Sequence, residues 1–529
     1  MRQLTIAMAR KRAIELVLVC FLCVFCGAEA FKVLIVYGFP IRSLSILGHG
    51  IARHLVDAGH NVTFITAFPS LTVHDRYREI DVSSNLHYFA EVRNETSKIS
   101  YVLREKAFVF DIESLQRSAV DIAKLTIQND DVQNLLQDPE ERFDVVVSDY
   151  IETELYAGLA AAYQCPLVWA YSLGPNWIST RLVDESTNPA YTPDYLSTNI
   201  QPFSFVERIQ ELWAQVKWKT IKWLTTLPLE KESYKLLFQP IAKIRNVILP
   251  EYKDIIYNGS LVLSNDHFTF GNIPNLPQNY ILVGGYHIEN PVKPLPKNLQ
   301  YLMNNSKNGV IYFSMGTLWK SKDLPSSLRN ELLNMFGGLN QTVIWKYEEN
   351  LMNLPKNVHI TKWAPQQSIL AHPNCLIFIT HAGLLSSTEA IHFSIPIIGI
   401  PVHYDQFVNI NKAVANGYAI KVQLNYELAQ NLQTAIRTML SDARYKQKAV
   451  ELSKIFHHRP MPPGKEVVHW IEHAIITRGA SHLRNPALAV PWYQKTYMDL
   501  LSLTVLLLII SGLTLRKLLY KVQVKGKID

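Results

Sequence analysis

A stretch of 44 residues, from Trp363 to Gln406, constrains the fold more than any other part of this 529-residue chain. It reads WAPQQSILAHPNCLIFITHAGLLSSTEAIHFSIPIIGIPVHYDQ and contains two short apolar runs, LIFIT and IPIIGIP. The two runs predict buried strands, the segment between them predicts a helix, and polar residues gather where each strand ends. This arrangement is typical of an open parallel sheet that binds a ligand at the carboxyl ends of its strands.

Strand and helix patterns of the same kind occur on both sides of a proline-rich segment. The runs FKVLIVYG, NVTFITAF and FDVVVSD predict buried strands before it, and GVIYFSM begins a second alternation after it. The motif NPVKPLPKN, within residues 285–300, indicates a linker. We therefore expect an α/β protein with two Rossmann-like domains, at residues 31–288 and 289–490, that face each other across a cleft.

The first 30 residues have the order of a secretory signal peptide. Basic residues precede an apolar run from Leu16 to Phe25, and Ala28-Glu29-Ala30 follows as a small-residue cleavage site. A first transmembrane helix is the alternative, against which the short apolar run argues. Three of the five cysteines lie in this segment, so Cys165 and Cys375 would remain and no disulfide framework is expected.

A second apolar run, residues 497–515, is long enough to cross a bilayer as a helix. Aromatic residues precede it, and the basic tail at 516–529 belongs on the cytosolic side by the positive-inside rule. Lys525 and Lys527 resemble a dilysine signal for retrieval to the endoplasmic reticulum; the alternative is a stop-transfer tail with a chance spacing. We expect a single-pass type I membrane protein of the endoplasmic reticulum with a luminal body.

Charge and glycosylation motifs agree with this topology. Residues 1–30 carry a net +2 and residues 516–529 a net +4, which leaves +1 of the formal +7 for the rest of the chain. The body is therefore not basic enough to suggest a nucleic-acid partner. Asn61 matches a sequon but opens a strand expected to be buried, so we discount it. Four further sequons fit a luminal glycoprotein, at Asn94, Asn258, Asn304 and Asn340.

The segment from Pro202 to Leu249 has an unusual composition. Trp213, Trp218 and Trp223 lie within eleven residues and alternate with lysines. One interpretation is a helical pair that forms a lid over an acceptor cavity. The other is contact with a membrane surface, and the two are compatible.

The 44-residue stretch resembles, without gaps, the donor signature of the animal (insect-like) membrane-bound UDP-glycosyltransferases. The luminal body, the signal segment and the basic tail also resemble that family. The resemblance implies a GT-B fold, with an N-terminal acceptor domain and a C-terminal domain that binds a UDP-sugar. UDP-sugar is then a co-substrate, and the resemblance implies neither a metal nor a cofactor.

The resemblance also assigns roles to the donor residues, each of which is chemically reasonable. An indole can stack on uracil, a carboxylate can accept from both ribose hydroxyls, and backbone N–H groups with hydroxyls and a histidine can bind a diphosphate. An Asp-Gln pair can bind the sugar hydroxyls. The residues concerned are Ser314, Gly316, Thr317, Trp363, Gln366, His381, Gly383, Ser386, Glu389, Asp405 and Gln406.

The catalytic base is the point at which the chain departs from the family. The family uses a histidine after the first strand, held by an aspartate, and Asp149 matches that aspartate. A gapless count back from Gly59-His60 puts Leu44 at the position of the histidine. Asp149 could act directly or through water on an acceptor that is already nucleophilic, or His49 could be aimed into the site. Alternatively, the chain binds a sugar nucleotide but catalyses poorly.

The sequence therefore predicts a UDP-glycosyltransferase that transfers a hexose, with glucose preferred, to small lipophilic acceptors with inversion. Glucose is preferred because no basic residue is evidently placed to bind a glucuronate carboxylate. The main alternative is a catalytically impaired, sugar-nucleotide-binding membrane protein. Phosphorylases and epimerases share the expected architecture, but no residues here support either. Homo- or hetero-oligomers are both compatible with the sequence.

Overall fold

Two parallel β-sheets organise the residues that the computed structural model describes, which are 30–70, 74–92, 103, 112–194, 196–271 and 274–525. The expected signal peptide, the sequon at Asn94 and Lys527 lie outside the described residues. Cys165 and Cys375 are free, as expected. The fold prediction is confirmed by this pair of sheets together with the apolar helix near the carboxyl terminus.

The first sheet has seven strands in the order β3-β2-β1-β4-β5-β6-β7, and every pairing is parallel. Its centre is an apolar strand with Ile35 paired to Phe64 on one side and to Val147 on the other. The strands are β1 (Lys32–Tyr37), β2 (Asn61–Thr66), β3 (Tyr77–Asp81), β4 (Val145–Asp149), β5 (Leu167–Tyr171), β6 (Leu261–Ser264) and β7 (Tyr280–Leu282).

Helices cover both faces of this sheet, as burial of a parallel sheet requires. Helix α1 packs against the sheet through Leu44, Leu47, Ile51 and Leu55, which recur at helical spacing and are buried. A π-helical turn at Lys222–Thr226 joins α7 to α8. The helices are α1 (Arg42–Asp57), α2 (Asn85–Val92), α3 (Ile112–Gln128), α4 (Asp130–Gln137), α5 (Ala157–Tyr163), α6 (Trp177–Thr180), α7 (Phe205–Ile221), α8 (Leu227–Arg245) and α9 (Tyr252–Ile255).

The second sheet has six parallel strands in the order β10-β9-β8-β11-β12-β13. Phe313 pairs with Trp345 across the two central strands, and their rings stack with centroids 5.2 Å apart. The strands are β8 (Val310–Ser314), β9 (Thr342–Lys346), β10 (Val358–Thr361), β11 (Cys375–Thr380), β12 (Ile397–Gly399) and β13 (Ala419–Lys421).

The helices after residue 290 do not all belong to the second sheet. The last one before the membrane-length helix packs on α1, with Val467, Ile471 and Ala474 buried in the core of the first sheet. The chain therefore returns to the first domain, although the expected range 289–490 assigns this helix to the second. The helices are α10 (Lys297–Asn305), α11 (Ser326–Gly337), α12 (Gln366–Leu370), α13 (Leu384–His392), α14 (Gln406–Ala415), α15 (Leu428–Ser441), α16 (Arg444–His457), α17 (Pro463–Ile476), α18 (Trp492–Lys495) and α19 (Met498–Lys525).

Helix α19 contains a span from Met498 to Tyr520, 23 residues long with a mean hydropathy of 2.1. None of the residues in the most apolar part of this span is buried in the protein, which is consistent with the expected membrane anchor at 497–515. Among the described sequons, Asn258, Asn304 and Asn340 are exposed. The reason given for discounting Asn61 is wrong, because this first residue of β2 is also exposed.

Candidate active site

A cleft of about 1340 Å³ lies between the two sheets and is lined by residues from both. In each sheet the strand order reverses beside one central strand, at β1/β4 and at β8/β11, and the cleft lies at these two switch points. Both domains contribute apolar and polar side chains to the walls: the second provides Lys346, Glu389 and Asp405, and the first provides a group of apolar side chains beside polar ones such as His49 and Glu152. The apolar group includes Phe39, Ile41, Leu47, Phe89, Leu115 and Ile151.

The loop after β8 brings Ser314, Gly316 and Thr317 to the cleft. Gly316 has a φ of +82°, a conformation that favours glycine, and its N–H donates to Ser314 Oγ at 3.3 Å. A Cβ on Gly316 would come within 2.5 Å of Cε1 of His381, and one on Gly383 within 2.6 Å of Nε2 of the same ring. The two glycines therefore make the slot that the His381 ring occupies.

His381 follows β11 and lies in the cleft with a half-buried ring. Burial, with a smaller contribution from the charge of Lys346, lowers the pKa of His381 to about 4. At neutral pH the ring is therefore uncharged and can donate one hydrogen bond. In the unliganded site the ring can therefore bind a diphosphate through a donated hydrogen bond, and its role in donor binding stays a prediction.

Lys346 is the positively charged residue close to His381, and it was not among the site residues predicted from the sequence. It is the last residue of β9 and lines the cleft, where its Nζ donates to the carbonyl of Gly316 at 2.7 Å and lies 3.2 Å from Glu348 Oε1. Its Nζ also lies 5.9 Å from the ring of Trp363. The sequence could have indicated Lys346, because it lies at the carboxyl end of a predicted strand, where parallel sheets bind ligands.

We expect Lys346→Met to raise the KM for the sugar nucleotide about 10- to 100-fold, because it removes a charged hydrogen-bond donor next to the loop that is predicted to bind the diphosphate. Steady-state kinetics with a varied donor measures this effect, and kcat should change less than KM. The control is Lys448→Met, which removes an exposed lysine paired with Glu451 in α16. Equal KM values for the two variants would contradict a role for Lys346 in donor binding.

Trp363 lies in the loop after β10, and half of its side-chain surface is exposed. The guanidinium carbon of Arg42, at the start of α1, lies 4.6 Å from the centroid of its ring. This cation–π contact joins the two domains across the cleft. An exposed indole at the edge of a cleft can stack on a planar base.

A hydrogen-bonded group holds Glu389 in the wall of the cleft. Glu389 is buried in α13, and its carboxylate accepts from Gln366 Nε2 at 2.5 Å and from Gln367 Nε2 at 3.0 Å. Gln366 also donates to Ser386 Oγ at 3.1 Å, and His287 Nε2 lies 3.5 Å from the Glu389 carboxylate. Helix α13, which begins after Gly383, and the two glutamines of α12 thus fix the Glu389 carboxylate beside the loop that carries Trp363.

Asp405 and Gln406 begin α14 at the other end of this wall. Asn409 Nδ2 donates to Asp405 Oδ2 at 2.5 Å, and burial raises the pKa of Asp405 to about 6. The Gln406 Oε1 atom accepts from the backbone N–H groups of Val402 at 2.8 Å and His403 at 3.0 Å. The oxygen of Gln406 therefore holds its own loop, and its amide N–H group is the part that can meet a sugar hydroxyl.

We expect kcat/KM for the donor to fall as the pH drops through about 6. Burial raises the pKa of Asp405 to about 6, so below this pH its carboxylate becomes protonated and no longer accepts hydrogen bonds from sugar hydroxyls as an anion. A pH–rate profile from pH 5 to 8 measures this limb. In Asp405→Asn the limb should be lost and the plateau lowered. An unchanged acidic limb in that variant would assign the titration to another group.

Comparisons with known proteins agree with this arrangement. A family model described as UDP-glucoronosyl and UDP-glucosyl transferase matches residues 41–527. The chain belongs to this family. It is 28% identical to UDP-glucosyltransferase 2 of Dactylopius coccus, covering 88% of each chain, and 31% identical to UDP-glucuronosyltransferase 2B30 of Macaca fascicularis, covering 72% of this chain and 70% of that one.

Solved structures identify the fold of this UDP-glycosyltransferase. It is similar to the spinosyn forosaminyltransferase SpnP, with a TM-score of 0.55, 14% identity, and coverage of 85% of this chain and 100% of that one. The calicheamicin glycosyltransferase CalG4 gives a TM-score of 0.51 with 15% identity, over 84% and 99% of the two chains. The GT-B architecture is thereby confirmed, and the protein is a glycosyltransferase that uses a UDP-sugar.

The expected catalytic aspartate of this UDP-glycosyltransferase does not lie in the cleft wall. Asp149 ends β4, is 3% exposed, and lines a separate small cavity next to Tyr156. Phe39 and Ile151 line both spaces and separate them. Burial raises the pKa of Asp149 well above its usual range, which favours the protonated form of this carboxyl group.

Leu44 and His49 both line the cleft, although helical spacing places them on different faces of α1. His49 Nε2 carries a hydrogen, because it lies 3.0 Å from the carbonyl of Phe68, which can only accept. Its Nδ1 lies 3.3 Å from the Tyr77 hydroxyl, which donates to Glu79 at 2.6 Å. Protein groups thus occupy both ring nitrogens, and an acceptor must displace the Tyr77 contact to reach Nδ1.

Proposed function

We propose that this enzyme transfers glucose from UDP-glucose to small lipophilic acceptors, with inversion at the anomeric carbon. The observation that carries the proposal is a single cleft in which the residues expected to bind the donor line the second-domain wall and a group of apolar side chains lines the first-domain wall. A polar wall suits a sugar nucleotide, and an apolar wall suits an acceptor that enters from water or lipid.

The donor would lie along the second domain. Uracil would stack on Trp363, and the ribose hydroxyls would bind Glu389. The diphosphate would meet the loop at 314–317, His381, Lys346 and the start of α13, because backbone N–H groups and a cation favour anions there. The roles of these residues, and those of Gly383, Ser386 and Gln406, stay predictions, as does the absence of a metal or cofactor requirement.

The sugar end of the cleft supports glucose over glucuronate. Asp405 and Glu152 both line it, and the charges of both act on Tyr404 between them. Two carboxylates can accept hydrogen bonds from the hydroxyls of a neutral hexose. They would repel the carboxylate of a glucuronate donor.

The acceptors that this site can use depend on which group removes the proton from the acceptor. Leu44 cannot take a proton, and Asp149 lines a separate small cavity, where burial raises its pKa. Acceptors that are already nucleophilic at neutral pH, such as acidic phenols and amines, therefore fit this site best. His49 is the alternative base, with Nδ1 as the nitrogen that would accept the proton.

A protein that binds UDP-sugar without turnover is the second candidate. The observation that favours it is the same pair of residues, since a leucine and a buried carboxyl group stand here in place of the family's histidine–carboxylate pair. The donor side is intact, so the two candidates predict equal UDP binding and differ only in transfer.

We expect the purified full-length protein to bind UDP and to transfer glucose faster to acidic phenols and amines than to alcohols. UDP titration by calorimetry, followed by product analysis with UDP-glucose and UDP-glucuronate, measures both steps. UDP binding without product from any acceptor would reject the enzyme in favour of the binding protein. Faster transfer of glucuronate would reject the choice of sugar.

The protein is proposed to be anchored in the endoplasmic reticulum membrane by α19, with the cleft on the luminal side. The apolar span at 498–520 and the exposed sequons at Asn258, Asn304 and Asn340 support this topology. The retrieval role of Lys525 and Lys527, the identity of the acceptor and the oligomeric state stay predictions.

A further inference from the structure

Helix α7 presents its apolar residues to the outside of the protein. Phe205 is 69% exposed and Trp213 is 64% exposed, and the other apolar residues of the same face are exposed as well. At 100° per residue these side chains fall within an arc of about 120° of the helix surface. We call this face the α7 stripe; its residues are Phe205, Val206, Ile209, Leu212, Trp213 and Val216.

The middle of the inward face of α7 is polar, although Trp218 near the end of the helix is buried in the hydrophobic core. Glu211 is buried and accepts from the backbone N–H of Asp194 at 2.7 Å and from Asn199 Nδ2 at 2.8 Å. Gln215, one turn later, is buried and donates to the carbonyl of Thr187 at 3.1 Å. These bonds fix the rotation of the helix, so the stripe cannot turn inward without leaving a buried carboxylate unpaired.

The apolar surface continues beyond α7 into the π-helical turn at Lys222–Thr226. Trp223 and Leu224 are 67% and 60% exposed there. The side chain of Lys222 turns inward instead and pairs with Glu154 at 2.5 Å and with Glu230 at 3.5 Å. The buried ion pairs therefore hold Trp223 outward, next to the α7 stripe.

Basic residues border the stripe along both edges. Helical spacing puts Lys217 on one side of the exposed arc and Arg208 on the other, and both are exposed. An apolar face with tryptophan and a basic border on each side is the pattern of a helix that lies in a membrane interface. A second copy of this chain is a poor match, because it would bring basic borders together.

The segment that leads into α19 is attached beside the same region. Lys495, three residues before α19, forms an ion pair with Glu185, and Asn485 donates to Asp184 Oδ2 at 3.1 Å. The polar face of α7 contacts the loop that contains Asp184 and Glu185. Gln215 donates to the carbonyl of Thr187 in this loop, and Glu211 accepts from the backbone N–H of Asp194. The stripe and the entry to the membrane-length helix are thus joined through one loop of the first domain.

The same helical pair was expected as a lid, and the structure does not support that interpretation. In the described chain, no residue from 202 to 249 lines the cleft. Helix α8 instead packs behind the sheet, where the ring of Phe238 covers Gly158 of α5. The apolar residues on the outside of α7 therefore have no role in closing the site.

We propose that the α7 stripe, with Trp223 and Leu224, lies in the interface of the phospholipid bilayer that α19 crosses. This inference rests on the proposed anchoring by α19, and it adds a second membrane contact made by the acceptor domain itself. It orients the first domain against the lipid surface. The tryptophan rings lie at the level of the headgroups, with the basic side chains next to the phosphates.

The test uses the full-length protein in nanodiscs of phosphatidylcholine and phosphatidylserine, with the five native cysteines replaced by alanine. A nitroxide is attached in turn at Trp213→Cys, at Leu508→Cys in α19, and at Asn330→Cys on the exposed surface of α11. The ratio of relaxation enhancement by oxygen to that by a water-soluble nickel chelate is measured. We expect the ratio at position 213 to exceed that at 330 about tenfold and to approach that at 508.

Three results would overturn the inference, and they are distinguishable. If position 508 is in lipid and 213 matches 330, the stripe is in water while the anchor stands. If position 508 also matches 330, the proposed anchoring fails and this inference fails with it. Spin–spin broadening between two labels at 213, lost when unlabelled protein is added, would show that a second copy covers the stripe.

Discussion

Leu44→His is expected to raise the rate of transfer to weakly acidic phenols about 100-fold, because it puts a general base where the wild-type chain has none. Leu44 lines the cleft near the start of α1, the helix whose first residue, Arg42, meets the donor loop at Trp363. Histidine is close to leucine in size, so the helix can hold it without a new cavity. The effect should shrink for phenols that are already ionised at the pH of the assay.

Asp149 is the second residue that affects the expected gain from Leu44→His. Both of its carboxylate oxygens are buried and have no hydrogen-bond partner. Phe39 and Ile151 are the side chains between that carboxylate and the cleft. A histidine at position 44 that contacts Asp149 would stabilise its ionised form, and the pair would then resemble the family's arrangement.

The control for this experiment is Ile46→His, which puts the same ring on the cleft-lining part of α1 at another position. It should bind UDP as the wild type does and give no comparable gain. Initial rates across phenols of different acidity measure both variants. If Leu44→His folds and binds UDP but transfers no faster to any phenol, the base position lies elsewhere and the gapless alignment is wrong.

Glu389→Ala is expected to weaken UDP binding about 100- to 1000-fold. A carboxylate that accepts from two ribose hydroxyls makes two charged hydrogen bonds, each contributing about 1.5–3 kcal/mol, and their loss is not fully additive. The substitution also leaves the amides of Gln366 and Gln367 without their acceptor in a buried wall. Calorimetric titration with UDP measures the loss directly.

Two further variants separate ribose binding from damage to the wall. Glu389→Gln keeps the size and one acceptor oxygen, so its loss of affinity should be smaller than that of the alanine variant. Glu451→Ala removes an exposed glutamate of α16 that pairs with Lys448, and it should leave UDP affinity unchanged. Wild-type affinity in Glu389→Ala, with the thermal transition intact, would contradict the assignment of Glu389 to ribose.

The donor half of the site could be predicted from sequence because its residues are close together along the chain. Trp363 to Gln406 forms consecutive strands, helices and loops of one sheet, so parallel pairing brings the strand ends together. Gly316 and Gly383 come from two neighbouring loops and make one slot for His381. Here local pattern and tertiary position agree, and the predicted residues line one cleft.

Other features depended on contacts between distant parts of the chain. The charge state of His381 depends on burial and on Lys346, which comes from another strand. The position of Asp149 depends on Phe39 and Ile151, which separate it from the cleft. The composition of residues 202–249 indicated tryptophans and lysines but not which face of α7 would turn inward, because buried hydrogen bonds from Glu211 and Gln215 decide that rotation.

The sequence by itself determined the two parallel sheets, the membrane-length helix and the family, because hydrophobic periodicity and an ungapped motif are properties of neighbouring residues. Only the tertiary structure decided that α17 returns to the first domain, that Lys346 reaches the carbonyl of Gly316, and that Asp149 is buried in a separate cavity with a raised pKa. The reason is physical: burial and the distance between charges set protonation and access, and both depend on residues far apart in the chain.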